Sequence, residues 1–97
     1  MKIDWTFSLN EPWKIDRVLE FVRIANLYTC NIYIGSNGKM LNAKGLLGIV
    51  SFSLSLDEHS SVLLQLNGED AQEAFEQLSV FLQVMEQALN TGYAVNL

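Results

Sequence analysis

The sequence predicts an α+β fold, a layer of strands covered by helices, with the element order β-α-β-β-α-β-α. Three observations carry the prediction. Apolar residues alternate near the N-terminus and run almost unbroken in Ser61 to Leu66 (SVLLQL), the two patterns of half-buried and fully buried strands. An Asn37-Gly38 pair sits between two short strand-like runs, which is the strongest short hairpin signal. Two longer stretches place apolar residues at helical spacing. Short connections and helices gathered on one side then give an α+β layer.

Taken in order, Trp5, Phe7 and Leu9 alternate with Thr6 and Ser8, the period of a strand. Pro12, the single proline, interrupts it. From Asp16 the spacing changes: Val18, Phe21, Val22 and Ala25 recur helically through Leu27, with Asp16 expected as N-cap because its carboxylate can accept a free backbone N–H. Asn31 to Ser36 reads as a strand with Ile32 and Ile34 facing away from Tyr33, and Lys39 to Asn42 as its returning partner. Gly45 to about Ser51 is expected as a short helix, since each of its two glycines costs about 1 kcal/mol against alanine. Leu54 to Ser60 reads as a polar, acidic loop. The last helix carries the stripe Ala71, Ala74, Phe75, Leu78, Leu82, Met85 and Leu89. Glu69, Asp70 and Glu73 lie at its start, where the helix dipole favours negative charge. This divides the chain into one domain over residues 1–89 and a tail, Asn90 to Leu97, without clear periodicity.

Composition bounds the function. Ninety-seven residues, 49% apolar and 10% aromatic, suffice for one packed core without a disulfide or metal. The single cysteine, Cys30, has no partner in the chain and fits a reducing, cytoplasmic setting. The N-terminal MKIDWTFSLN holds no apolar run resembling a signal-peptide core, and no stretch approaches the ~20 apolar residues of a membrane span. The net charge of −5 is unevenly spread: all six basic residues lie in the first 44 positions, and seven acids follow without a Lys or Arg. Nucleic acids and anionic membranes need clustered cations, so both are disfavoured as partners. Proteins remain.

Three segments carry a family likeness. SNGKMLNAKGLLGIVSFSLS resembles the hairpin and short helix of HPr, the phosphocarrier of the phosphoenolpyruvate-dependent sugar phosphotransferase system, in which a lysine-rich turn leads into an N-A-K-S motif. VLLQLNGEDAQEAFEQL is similar to that family's last strand and its G-E-D-E-x-E-A helix entry, and LEFVRIANLY to its A-x-F-V-x-x-A stretch. The likeness runs without gaps from Trp5 to about Ser55 and from Val62 to Leu89. It implies an open-faced β-sandwich: a four-stranded antiparallel sheet in the order 1-4-2-3 with three helices on one face.

The resemblance also says what is missing. In the family, G-L-H-A-R-P opens the first helix, and its histidine takes a phosphoryl group from enzyme I and passes it to sugar-permease subunits. Aligned on Phe21-Val22, this chain has Lys14 at the histidine position, Asp16 at the arginine position and Arg17 at the proline position. Transfer needs an uncharged nitrogen nucleophile; histidine titrates near about 6.5, lysine near about 10.4. A carboxylate in place of the arginine repels the phosphoryl oxygens instead of stabilising them. The serine of N-A-K-S, phosphorylated by a dedicated kinase in many Gram-positive bacteria, is Gly45 here and has no hydroxyl. The resemblance therefore implies a scaffold without either phospho-acceptor, a regulatory binding module and not an enzyme, meeting partners such as enzyme I, permease subunits, the HPr kinase or a repressor.

Leu46, Leu47 and Val50 match the family's exposed apolar docking patch; the alternative is that they cap the core, for which Ile49 and Phe52 are better placed. Lys14, Arg17 and Trp13, the last as an exposed anchor, complete the expected partner-binding set. His59 is the one histidine, in a loop about two residues longer than the family pattern. The implied topology brings that loop near Lys14, so His59 is either a relocated phospho-acceptor or a solvated histidine beside two acids. Cys30 and Trp5 read as core. One histidine and one cysteine do not assemble a metal site, no phosphate-binding glycine loop or serine-histidine-acid set can be built, and no cofactor is implied. Short edge strands and the apolar end of the tail (Tyr93 to Leu97) leave a homodimer open.

Overall fold

Strand and helix signals alternate along the chain as the patterning predicts, and the computed structural model describes residues 1–8, 13–56 and 61–87, with side chains to residue 82. The elements are β1 (Lys2–Ser8), α1 (Ile15–Ala25), β2 (Asn31–Ser36), β3 (Lys39–Asn42), α2 (Leu46–Ser55), β4 (Ser61–Asn67) and α3 (Ala71–Gln87). The four strands form one antiparallel sheet in the order β1-β4-β2-β3, the open-faced α+β sandwich that the resemblance implies.

Register follows from the period-two pattern. Trp5 pairs with Leu64, which pairs in turn with Ile34 and so with Leu41, and this row faces the helices. The next row, Thr6, Leu63, Gly35 and Met40, faces the open side. A one-residue slip would exchange the two faces. Asn37 and Gly38 both adopt positive φ (57° and 81°), as the two-residue turn between β2 and β3 requires.

The core lies between sheet and helices. Phe21, Ile32, Ile34, Ile49, Leu64, Leu66 and Leu78 are fully buried, each such side chain stabilising the fold by about 1.5–3 kcal/mol. Trp5 is half-buried, stacked on Phe7 at 4.6 Å and edge-on to Phe75 of α3 at 5.6 Å between ring centroids.

The start of α3 is fastened to the loop before β2. The Asp70 carboxylate accepts hydrogen bonds from Thr29 N–H (2.8 Å), Thr29 Oγ1 (3.2 Å) and Cys30 N–H (2.8 Å). These bonds, the one from Thr29 N–H foremost, hold its carboxyl below the usual carboxylate range. Gly68 has φ 152°, a backbone conformation that side chains rarely adopt, and a Cβ there would lie 2.7 Å from the Cα of Cys30. Cys30 is buried; burial first, and then Asp70, push its thiol up to about 11. It is the core thiol expected.

Two local expectations are corrected. Asp16 is not the N-cap of α1: Lys14 is, with φ −82° and ψ 159°, and its carbonyl accepts from Arg17 N–H and Val18 N–H. Asp16 lies inside the first turn, where its carboxylate accepts Arg17 N–H at 2.9 Å and meets the positive end of the helix dipole. The second helix does not stop near Ser51. It runs to Ser55 because Phe52 and Ser53 are buried, with Leu56 buried just beyond, and because the hydroxyls of Ser53 and Ser55 fold back onto the carbonyls of Val50 and Phe52. Packing outweighs the weak helix propensity. Leu9, the side chains of Met85 and Leu89, and the tail from Asn90 to Leu97 lie outside the described residues.

Candidate functional site

Lys14, which the resemblance aligns with the phospho-histidine, lies where an extended residue turns into a helix. Lys14 is exposed there, followed by exposed Ile15, Asp16 and Arg17. With Asp16 turned onto the Arg17 N–H, one of the backbone donors that a helix N-terminus offers to an anion is already engaged by a carboxylate. The Arg17 guanidinium lies 6.0 Å from the centre of the Phe81 ring, at the limit of a cation–π contact, so its charge leans toward α3. The arrangement sets a lysine side chain beside a carboxylate.

Trp13 corrects the expectation of an exposed anchor. It is only 6% exposed, its ring is 5.1 Å from that of Phe21, and it belongs to the core. Its indole N–H is buried without a hydrogen-bond partner among the described residues. The physical reason is that a large ring just ahead of an amphipathic helix gains more by folding under its buried stripe than by standing in water.

Gly45, which the resemblance aligns with the regulatory serine, is the N-cap of α2, with φ −94°, ψ 107° and no side chain to cap with. The three residues before it are structural. Asn42 Oδ1 accepts Lys44 N–H at 2.9 Å, Ala43 N–H donates to Ile32 O at 2.8 Å, and Lys44 Nζ donates to Tyr28 O at 2.6 Å. The Asn26 side-chain amide, at the end of α1, donates to both Val22 O and Lys44 O. This pins the end of α1 to the start of α2.

Of the predicted docking residues on α2, two are exposed and one is not. Leu46 is 41% and Leu47 84% exposed, Val50 is partly buried between them and the core, and Ile49 and Phe52 are buried as expected. The structure adds three residues that the sequence reading missed: Ile15 (58%), Leu19 (47%) and Leu54 (82%). Ile15 and Leu19 stand one turn apart outside the buried stripe of α1, a signal present in the sequence. Leu54 was hidden by the short helix expected there. Lys14 stands at the opposite end of α1 from the Asn26 link, about 16 Å away along an eleven-residue helix, and Ile15 and Leu19 occupy the interval.

Among the described residues no group of His, Cys, Asp and Glu side chains is arranged to hold a metal ion, and no helix is long and apolar enough to cross a membrane. His59 lies outside the described residues.

Comparison with known proteins bears on the family and the fold. Residues 18–84 match the family model described as the PTS HPr component phosphorylation site. The match begins at Val18, immediately after the segment that holds Lys14, Asp16 and Arg17. The HPr-like protein Crh of Bacillus subtilis is 36% identical over 63 residues, 65% of this chain and 72% of that protein. The phosphocarrier protein HPr of Buchnera aphidicola subsp. Acyrthosiphon pisum is 39% identical over 67 residues, 69% and 76% of the two chains. In structure, HPr of Bacillus anthracis superposes with a TM-score of 0.72 at 30% identity, covering 84% of this chain and 98% of the other.

Proposed function

This chain belongs to the HPr family, and on that premise we propose that it is a non-phosphorylatable member that acts in the cytoplasm by binding protein partners and carries no phosphate. One consideration carries the reading: the resemblance aligns Lys14 with the phospho-histidine, beside an Asp16 carboxylate that accepts the adjoining helix N–H, and aligns Gly45 with the second acceptor. The scaffold around both positions is kept, and so is exposed apolar surface on α2 at Leu46 and Leu47. Lys14 and Arg17 add charge at the start of α1, and Val50 packs partly buried against the core.

The partners that fit are those that recognise the HPr surface: enzyme I, permease subunits, the HPr kinase or a repressor. Such a module competes for or titrates its partner without taking part in transfer, and needs no cofactor. Two measurements test it. Pull-down with each of those four partners should retain at least one, and retention of none overturns the binding role. Incubation with phosphoenolpyruvate and enzyme I should leave the intact mass unchanged; an added phosphate on any residue, His59 included, overturns the rest. The double substitution Lys14→His and Asp16→Arg restores the nucleophile and its positive neighbour and should regain labelling in the same assay.

A further inference from the structure

The two edges of the sheet differ in character. At β1 the helix-facing side is filled: Trp5 is stacked on Phe7 and set edge-on to Phe75. At β3 it is hollow. A cleft of about 190 Å³ lies between this strand and the flank of α2 turned away from Leu46. Leu41 and Phe52 line it together with the small residues Gly48, Ser51 and Ser55, and Lys39 is its one ionisable residue.

The backbone beside the cleft is open to a further strand. Hydrogen bonds of an antiparallel ladder alternate along each strand. Ala43 N–H donates to Ile32 O, and Lys39 faces Ser36 across the two-residue turn, so residues 39, 41 and 43 turn their backbone groups toward β2. Met40 and Asn42, between them, turn theirs outward. Asn42 O is taken by Gly45 N–H at 3.1 Å. That leaves Met40 N–H, Met40 C=O and Asn42 N–H along the edge, none of them bonded to a turn or loop among the described residues. An edge of this kind is a template for strand addition.

Register and charge select the occupant. In an added antiparallel strand a single residue exchanges both backbone bonds with Met40, and antiparallel pairing is the more stable kind. The residue before it then lies opposite Leu41 and the residue after it opposite Lys39, both with side chains on the helix side. The first enters a cleft walled by Leu41 and Phe52, which suits an apolar side chain. The second meets the Lys39 ammonium, which suits a carboxylate. No residue of α2 is ionisable, so the helix sets no charge against that carboxylate.

We propose that the β3–α2 cleft is a peptide-binding groove. It takes an extended segment of a protein partner, antiparallel to β3, with an apolar residue two positions ahead of an Asp or Glu. The groove uses neither Leu46 nor Leu47, so a partner seated on those residues leaves it open.

The experiment is fluorescence anisotropy of the full chain with a labelled, end-blocked peptide, Thr-Lys-Thr-Leu-Thr-Glu-Thr-Lys, joined to amide chemical shifts of the protein. The peptide should bind saturably at submillimolar concentration and shift the amides of Met40 and Asn42 most. Proline in place of the threonine between leucine and glutamate removes the N–H that Met40 O accepts, and should weaken binding roughly tenfold. Exchanging the leucine and the glutamate should weaken it as well. On the protein, Gly48→Leu fills the cleft and should again cost roughly tenfold in affinity. A Cβ at Gly48 meets nothing within 4 Å, so Tm should not fall. Lys39→Glu should weaken binding about threefold to fivefold in dilute salt, and Thr6→Lys, on the open face of the far edge strand, should change nothing. Absence of saturable binding up to about a millimolar overturns the proposal. So does a proline or exchanged peptide that binds as tightly as the first, binding that survives Gly48→Leu, or shifts confined to Ile15, Leu19 and Leu47. A synthetic peptide reports on this cleft alone, so its result is separate from the pull-down that tests partner binding.

Discussion

Two helix starts in this molecule are built in opposite ways. At α3, Asp70 spends its carboxylate on three hydrogen bonds to Thr29 and Cys30, and Gly68 lets the chain press against the Cys30 backbone. At α1, the N-cap Lys14 makes no side-chain capping bond, and exposed Ile15, Asp16 and Arg17 follow it. The first junction uses its polar groups to hold the fold. The second leaves Lys14 and Ile15 exposed and engages Asp16 only with its neighbour's N–H. Polar and charged residues at a helix entry are therefore informative only once their bonds are traced.

Substitutions should separate the two junctions, the largest effect coming from Gly68→Ala. A Cβ there meets the Cys30 backbone at a φ that side chains rarely adopt, and urea unfolding should show a loss of about 3 kcal/mol. Asp70→Ala comes next, because it strands the N–H groups of Thr29 and Cys30, and should lower Tm by several degrees.

The same carboxylate gives a pH signature. Its folded pKa lies below its unfolded one, so the unfolded chain binds more protons in the acid range. The stabilisation by Asp70 is complete above the usual carboxylate pKa of about 4 and disappears as pH falls through the lowered folded value. The stability gap between the unaltered protein and Asp70→Ala, measured by urea unfolding from pH 7 downward, should narrow on that side only.

Cys30 works in the opposite direction. Its thiol is raised from 9.0 to about 11, so the folded state holds the proton longer, and its contribution is present below pH 9 and lost as pH rises toward 11. In the native protein its alkylation at pH 8 should be slow and should accelerate on unfolding, followed by intact mass. The smallest effect belongs to Leu47→Asp. At 84% exposure the change should move unfolding stability by no more than about 0.5 kcal/mol, whatever it does to binding.

Much of the framework was legible because strand period and turn chemistry are local. Asn31–Ser36 and Lys39–Asn42 have the bounds expected, and Asn37-Gly38 makes the turn expected. What failed was set by packing at a distance. The end of α2 depends on burial of Phe52, Ser53 and Leu56 against glycines and serines that locally argue for a loop. The position of Trp13 depends on Phe21, eight residues away, and no periodicity links them. For the candidate site, Leu46 and Leu47 were found from family likeness, while Leu54 was lost with the helix end that carries it.

The tripeptide before α2 has a consequence of its own. Through Ala43 N–H, the Lys44 amine and the Lys44 carbonyl it ties together β2, the loop at Tyr28 and the end of α1, and none of those ties passes through residue 45. The joint is therefore independent of any side chain at residue 45, where a Cβ would meet nothing nearer than Asn42 O at 3.6 Å, and a substitution there leaves it standing.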